Sequence, residues 1–192
     1  CIVHGINSFL WVLEAFLGKK GFVYSSFKVK FLKQITLNKR FISIFDPLNL
    51  MMFIMDDFGN KYLSISINSS KQFNRKVFNH FLQEKQVNYI PNEININQLS
   101  EIKKINLNFN GDKFLSSQIF PLLSKKIGSG LISQISSISE IVGMQLPGKY
   151  SIFGKLLISF RQEFEKPSKV KLLNFNDRIG VVELGFNYKN ID

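Results

Sequence analysis

Apolar residues dominate positions 6–17, where Glu14 is the only charged side chain. This pattern predicts a helix that is apolar around most of its circumference and is therefore buried, and the glycines at 18 and 21 should end it. Apolar and polar residues then alternate over 23–32, which predicts a half-buried strand. Further strands are predicted at 40–45, 50–56 and 62–67, so this part should form a helix followed by an antiparallel meander.

A more polar stretch separates this pattern from a second one. Residues 69–86 predict a surface helix and the asparagine-rich residues 92–98 a linker, so we expect a boundary near 95–100. Isoleucine and leucine alternate with serine over 115–144, where glycines at 128 and 130 predict two consecutive helices, the second ending at Gly143. After a turn at 147–148, strands are predicted at 150–160, 169–175 and 179–186.

The two halves follow the same order of helix, glycine turn and strand. Three residues of the first half, Gly18, Gly21 and Tyr24, recur 125, 127 and 126 residues later as Gly143, Gly148 and Tyr150. A tandem repeat of one helix-plus-sheet unit explains this spacing, with a first unit over 1–95 and a second over 96–192. Because one sheet around one helix leaves an open edge, each unit needs a partner.

Composition excludes intrinsic disorder, since hydrophobic residues are 45% and charged residues 20% of the 192 residues. The formal net charge of +11 suits an anionic partner. The excess consists mostly of lysine among many isoleucines and asparagines, which an AT-rich coding sequence would also produce. Charge alone leaves both explanations open.

One cysteine and two histidines leave too few ligands for a zinc or cysteine-rich metal site, and one cysteine excludes an internal disulfide. We therefore expect no metal and a cytoplasmic protein. No apolar run reaches the roughly 18 to 20 residues that a membrane span needs. The start at Cys1 is compatible with a lipoprotein, with an N-terminal nucleophile hydrolase, or with a fragment whose natural start lies upstream, which is the interpretation we favour.

Ile2-Val3-His4-Gly5 leads into the first helix, and residues 25–33, Ser-Ser-Phe-Lys-Val-Lys-Phe-Leu-Lys, follow it. These two segments resemble the MaoC-like branch of the hotdog-fold acyl-thioester enzymes. The second half resembles the same family over 139–148 and at Asn176-Asp177-Arg178. In the family, the segment that corresponds to residues 25–33 is usually followed by a proline and a turn. This chain continues instead with residues 34–38, Gln-Ile-Thr-Leu-Asn. The resemblance implies an α+β fold, a tandem or double hotdog in which each antiparallel sheet wraps a buried central helix.

The same resemblance implies hydration of a trans-2-enoyl thioester, or dehydration of the 3-hydroxyacyl thioester, with no cofactor. The acyl group would arrive on coenzyme A or on an acyl carrier protein. In the family, backbone N–H groups at the helix start hold the thioester oxygen, a place that Gly5 and Ile6 occupy here. Positive partial charge at a helix N-terminus stabilises the developing enolate, and one such donor is typically worth about 3 to 4 kcal/mol.

The family's Asp-x-x-x-x-His pair, which activates water, would precede Cys1 and is absent from this chain. His4 is not that histidine; packing at the helix entrance is its plain role and direct chemistry the alternative. The second half has no such pair before Gly128, so we expect it to shape the acyl tunnel. A hotdog thioesterase and a non-catalytic acyl-binding module remain the alternative functions.

Lys28, Lys30 and Lys33 are candidates for binding phosphates or an acidic carrier, although a solvated strand face would look the same. A nucleic-acid partner is supported by charge alone and is not expected. Assembly into a homodimer is left open. Asp56 and Asp57 should point apart at a solvated turn rather than act as paired carboxylates. His80 and the glycosylation sequon at Asn68 are ordinary surface features on this interpretation.

Overall fold

The computed structural model describes residues 2–3, 5–20, 26–67, 104–106, 113–145, 151–159, 169–176 and 178–186. Several sequence predictions lie outside these residues: those for Cys1, His4, His80, the sequon at Asn68, the helix at 69–86, the boundary near 95–100, and the turn at 147–148. The described strands are β1 (Ile2–Val3), β2 (Ser26–Phe31), β3 (Ile35–Thr36), β4 (Ile42–Asp46), β5 (Met51–Met55), β6 (Lys61–Ile67), β7 (Lys104–Asn106), β8 (Lys155–Ser159), β9 (Lys169–Asn176) and β10 (Val181–Phe186).

Helix α1 (Gly5–Lys20) forms where the apolar run predicts it and continues through Gly18 to Lys20. Five of its side chains are buried: Ile6, Phe9, Leu10, Val12 and Leu13. The expectation that almost the whole circumference is buried is wrong, because positions 7, 11 and 15 form an exposed stripe at a spacing of four residues. On this stripe Trp11 is 68% exposed.

The main sheet is antiparallel and has the order β4-β5-β6-β2-β8. Alternation sets its two faces, as the sequence predicts. On β2, Phe27 and Val29 point to the core, whereas Lys28 and Lys30 lie on the opposite, outward face. Helix α1 packs on the core face, where the Phe9 ring lies 5.8 Å from the Phe27 ring.

Strand β8 joins this sheet although it belongs to the second predicted unit. It pairs antiparallel with β2, and Val29 is directly opposite Leu156. The predicted strand at 150–160 is longer than β8, which begins at Lys155. The reason is that β2 ends at Phe31, whose N–H donates a hydrogen bond to the carbonyl of Gly154, the last bond between these two strands among the described residues.

The remaining strands form two smaller antiparallel sheets, of which one pairs β1 with β3 and the other has the order β10-β9-β7. Strands β9 and β10 form where strands were predicted at 169–175 and 179–186, although β10 begins at Val181, after a turn in which Gly180 has φ of 62°. Strands β1, β3 and β7 were not predicted, because two or three residues are too few to show a period.

Three α-helices occupy the region where two were predicted: α2 (Lys113–Ile119), α3 (Pro121–Ile127) and α4 (Ser129–Glu140). The additional break lies at Phe120, because the proline ring at 121 pushes the preceding residue out of helical conformation, to φ of −125° and ψ of 66°. The break at Gly128 was predicted and has φ of 89°. A π-helical turn, Ile141–Gln145, follows α4.

One apolar cluster connects α1, the core face of the main sheet and helices α3 and α4. Residues of both predicted units contribute to it, among them Phe9, Val29, Leu123, Ile135 and Ile158. The protein is therefore a mixed α+β structure built on an antiparallel sheet. None of the described helices is long and apolar enough to cross a membrane.

Candidate functional site

The start of α1 lies beside the end of β2. Residues 2 and 3 pair with Thr36 and Ile35, which follow β2 after a short connection. The chain that leads into α1 is thereby fixed to the segment that leaves the main sheet. The pairing places the first turn of α1 at the corner where β2 ends.

Gly5 is in contact with the ring of Phe31. A Cβ atom at position 5 would lie 2.8 Å from both Cδ1 and Cε1 of Phe31, closer than side chains tolerate. The Phe31 ring in turn lies 5.6 Å from the ring of Phe153, which precedes β8. Glycine is required here by an aromatic neighbour from the chain itself, a reason that the sequence analysis did not foresee.

Ile6 is fully buried, whereas Gly5 is half-buried. The first N–H groups of a helix have no partner within it and carry its positive end. An oxygen atom that accepted a hydrogen bond from the N–H of Ile6 would be removed from bulk water. A hydrogen bond to developing negative charge is stronger in such a low-dielectric environment than in water. The helix start can thus serve chemically as a hydrogen-bond donor site.

The described residues supply no histidine to this corner, because His4 and His80 lie outside them. Among the same residues, no group of histidine, cysteine, aspartate and glutamate side chains is arranged to hold a metal ion. Of the candidate site residues, the structure therefore places Gly5 and Ile6 and leaves the role of His4 a prediction.

Glu14 has a function that the sequence analysis missed. Its Oε1 accepts a hydrogen bond of 2.8 Å from the backbone N–H of Leu122, and its Oε2 one of 2.7 Å from that of Leu123. These are the second and third residues of α3, whose N-cap residue, Phe120, offers no side-chain acceptor. Two features of the sequence indicated this contact. Glu14 is a single carboxylate on an apolar helix, and the helix that begins at Pro121 has no polar residue directly before it to cap its N–H groups.

Asp56 organises the turn between β5 and β6. Its carboxylate accepts hydrogen bonds from the backbone and side chain of Asn60, from the N–H of Phe58 and from the hydroxyl of Tyr62. Burial opposes ionisation, but these hydrogen bonds outweigh it and hold the pKa of Asp56 below its ordinary value. Asp57 is exposed, so the two carboxylates do not act as a pair, although Asp56, at 8% exposure, is not solvated as expected.

The end of α4 carries two polar side chains that are buried or partly buried, those of Ser139 and Glu140. The Oγ atom of Ser139 is buried and has no hydrogen-bond partner within the described part of the chain. Burial raises the pKa of the neighbouring Glu140. Both residues directly precede the π-helical turn, a form that often occurs at functional sites.

The three candidate lysines do not lie together. Lys28 and Lys30 are on the outward face of β2, and Lys155 of β8 is directly opposite Lys30. Lys33 lies elsewhere, with its Nζ 3.5 Å from Oδ1 of Asn60 and 5.7 Å from the centre of the Tyr62 ring. The structure therefore separates Lys33 from the other two and adds Lys155, which sequence reasoning missed because strand pairing is a long-range contact.

Comparison with known proteins returned no matching family model, no matching curated protein and no matching solved structure.

Proposed function

We propose that the protein hydrates trans-2-enoyl thioesters, or dehydrates 3-hydroxyacyl thioesters, at the start of α1. The observation that carries this proposal is the position of Gly5, which meets Phe31 and, through it, Phe153 of the second predicted unit. The N–H groups of the helix start, which have no partner within the helix, thus lie beside an apolar corner to which Phe31 and Phe153 contribute. A thioester has matching parts, since its carbonyl oxygen accepts hydrogen bonds and its acyl chain is apolar.

A tandem hotdog arrangement of 1–95 and 96–192 is part of the proposal, and the pairing of β2 with β8 supports it. The spacings of 125 to 127 residues place the counterpart of Val29 between Gly154 and Leu156. Val29 pairs with Leu156, so the strand pairs with its predicted counterpart within two residues of register. Two copies of one unit that associate face to face produce this relation.

The buried positions of the helices support the same arrangement. Ile6, Phe9 and Val12 of α1 are almost completely buried, and so are the residues 126 positions later in α4, namely Ile132, Ile135 and Ile138. In this proposal α4 is the central helix of the second unit. Strands β9 and β10 would belong to that unit, although they form their own sheet with β7.

The proposed reaction uses the N–H groups of Gly5 and Ile6 as donors to the thioester oxygen. A base takes a proton from water while the water oxygen bonds to C3, and the electron pair of the double bond moves through C2 onto the thioester oxygen. Reprotonation at C2 completes the hydration. The base is expected from the Asp-x-x-x-x-His pair that the family resemblance implies upstream of Cys1, in a cytoplasmic enzyme.

The test uses the protein expressed from its complete reading frame and crotonyl-CoA as the substrate. We expect loss of the absorbance of the conjugated thioester and formation of 3-hydroxybutyryl-CoA. Release of free CoA thiol would instead identify a thioesterase. If neither reaction occurs with CoA-bound or carrier-bound substrates, the hydratase proposal is wrong and the non-catalytic acyl-binding module is favoured.

The donor role of Gly5 needs a control for packing, because any larger residue at position 5 collides with Phe31. The double variant Gly5→Ala with Phe31→Val removes the colliding ring atoms and leaves Cγ, which is 3.5 Å from the new Cβ position. Alanine keeps the backbone N–H at position 5, so this variant tests whether the thioester oxygen comes close to that backbone. If it folds like Phe31→Val alone but loses activity about tenfold or more, the close approach holds. Equal activity in the two variants would refute the close approach.

A further inference from the structure

We propose that the outward face of β2 and β8 is the docking surface for an acidic carrier protein that presents the acyl chain. We call Lys28, Lys30 and Lys155 the lysine face. The inference rests on the proposed function, because a thioester substrate can travel either on coenzyme A or on a carrier. It selects the carrier and names the residues that bind it.

The register of the two strands brings like charges together. Lys30 and Lys155 are directly opposite each other, which places their Cβ atoms about 4.5 to 5.5 Å apart. Lys28 is two residues along the same face of β2, at about 7 Å from Lys30. Like charges in directly opposite positions destabilise a sheet, so this arrangement contributes nothing to folding.

The described positions around the lysine face carry no acidic side chain on these strands. The outward positions of β2 and β8 and the residues of β6 opposite them are Ser26, Lys28, Lys30, Lys155, Leu157, Ser159, Ser64 and Ser66, and Tyr62 is two residues before Ser64 on β6. None of these described positions is acidic, so no carboxylate on the three strands neutralises the lysine face. Lys61, at the start of β6, lies 4.1 Å from the centre of the Phe53 ring and is engaged there.

The shape of the lysine face indicates the size and type of its partner. Small-molecule sites are concave and enclose most of the ligand, whereas Lys30 and Lys155 stand exposed on the outward face of a sheet. Such a face fits a macromolecular surface. Leu157, 51% exposed beside Lys28, adds an apolar contact of the kind that protein interfaces use.

A protein partner fits this face better than a nucleic acid. Sheet surfaces that bind single strands use exposed aromatic rings on which bases stack. The outward positions of β2 and β8, and the residues of β6 opposite Lys28 and Lys30, carry serines, lysines and one leucine, with no aromatic residue among them. Tyr62, two residues before Ser64 on β6, is only 8% exposed and offers no open ring for stacking. Carboxylates on an acidic protein surface would neutralise the lysines and would also speed association through long-range attraction.

The test compares two triple variants that change the net charge equally. One replaces the lysine face, Lys28→Gln, Lys30→Gln and Lys155→Gln. The control replaces three exposed lysines elsewhere, Lys39→Gln, Lys125→Gln and Lys126→Gln. Binding of a phosphopantetheinylated acyl carrier protein is measured at low and at physiological salt, with single-stranded DNA as the competing probe.

We expect the lysine-face variant to bind the carrier about tenfold or more weakly and with less salt dependence, and the control to change by less than about threefold. The unfolding midpoint of the lysine-face variant should not fall, because the change relieves like-charge repulsion. Equal weakening in both variants would mean that net charge alone matters and would overturn the inference. Wild-type protein that binds the DNA but not the carrier would overturn it in favour of a nucleic-acid partner.

Hydration of crotonyl-CoA or of the crotonyl-loaded carrier protein by the wild-type protein separates failure of this inference from failure of the proposed function. Hydration together with carrier binding that is the same in both variants retains the enzyme and refutes the docking surface. Carrier binding that depends on the lysine face without any hydration retains the surface and refutes the hydratase.

Discussion

Replacement of Glu14 tests a contact that joins distant parts of the chain. The carboxylate projects from α1 and accepts two short hydrogen bonds from the start of α3, more than 100 residues later in the sequence. The perturbation is Glu14→Ala, which removes both acceptors, compared with Glu14→Gln, which keeps one oxygen and removes the charge. Glu183→Gln on β10 is the control, because Glu183 is an exposed carboxylate on another sheet.

The two N–H groups should contribute unequally. Leu122 is 44% exposed, so water can replace the carboxylate at its N–H, at a cost of about 0.5 to 1 kcal/mol. Leu123 is 1% exposed, so its N–H would remain buried and unsatisfied, at a cost of about 1 to 3 kcal/mol. Loss of a negative charge at the helix start adds about 0.3 to 1 kcal/mol. Glu14→Ala should therefore lower the free energy of unfolding by about 2 to 5 kcal/mol, and Glu14→Gln by roughly half as much.

The assay is equilibrium urea unfolding at neutral pH, followed by circular dichroism. The slope of the free energy of unfolding against urea concentration should be the same in all variants, which shows that the same unfolding transition is compared. The control should change stability by less than about 0.5 kcal/mol. A loss below about 1 kcal/mol for Glu14→Ala would refute the reasoning, since the N–H of Leu123 would then have found another partner. Equal losses for alanine and glutamine would show that charge, and not the number of acceptors, stabilises the helix start.

Two further predictions concern pH. The depressed pKa of Asp56 contributes stability that is present above the ordinary value of 3.8 and is lost as the pH falls through the lower folded-state pKa. Asp56→Asn should therefore lower the unfolding midpoint at neutral pH and flatten its decline between about pH 5 and pH 2; an acid decline as steep as in the wild type would contradict this. The raised pKa of Glu140 has the opposite sign, so its contribution is fully present below 4.5 and is lost as the pH rises through the higher folded-state pKa. Glu140→Gln should stabilise the protein at pH 7 by less than about 1 kcal/mol, because solvent screens a partly exposed group, and should make no difference near pH 4. Destabilisation at pH 7 would reveal a favourable partner for the carboxylate.

Local patterns predicted the elements that have a clear period. The alternation over 23–32 gave the two faces of β2, and the apolar run over 6–17 gave α1, because period and burial are coupled within one element. The sequence analysis did not predict the break at Phe120, although Pro121 disfavours helix at the residue before it. The predicted burial of α1 was also too high. An apolar residue such as Trp11 counts toward an apolar pattern even when no other element covers its side chain.

The candidate site was predictable only where it depends on neighbours in sequence. The motif predicted Gly5 at the start of α1. The side chain that makes glycine necessary there is Phe31, and the ring of Phe31 in turn lies against the ring of Phe153. Lys155 and Glu14 show the same limit. Each acts through a partner more than 100 residues away, and the pattern of one segment contains no information about the register of another.

These long-range contacts explain why the corner at Gly5 depends on both predicted units. The pairing of β2 with β8 fixes Phe153 against Phe31, and Phe31 fixes the position of Gly5. The Glu14 carboxylate fixes α3 to α1 from the other side of the core. A unit of residues 1–95 alone would leave the Phe31 ring and the inward side chains of β2 uncovered along the edge that β8 occupies. The start of α1 and the lysine face therefore depend, in their described geometry, on the pairing of β2 with β8.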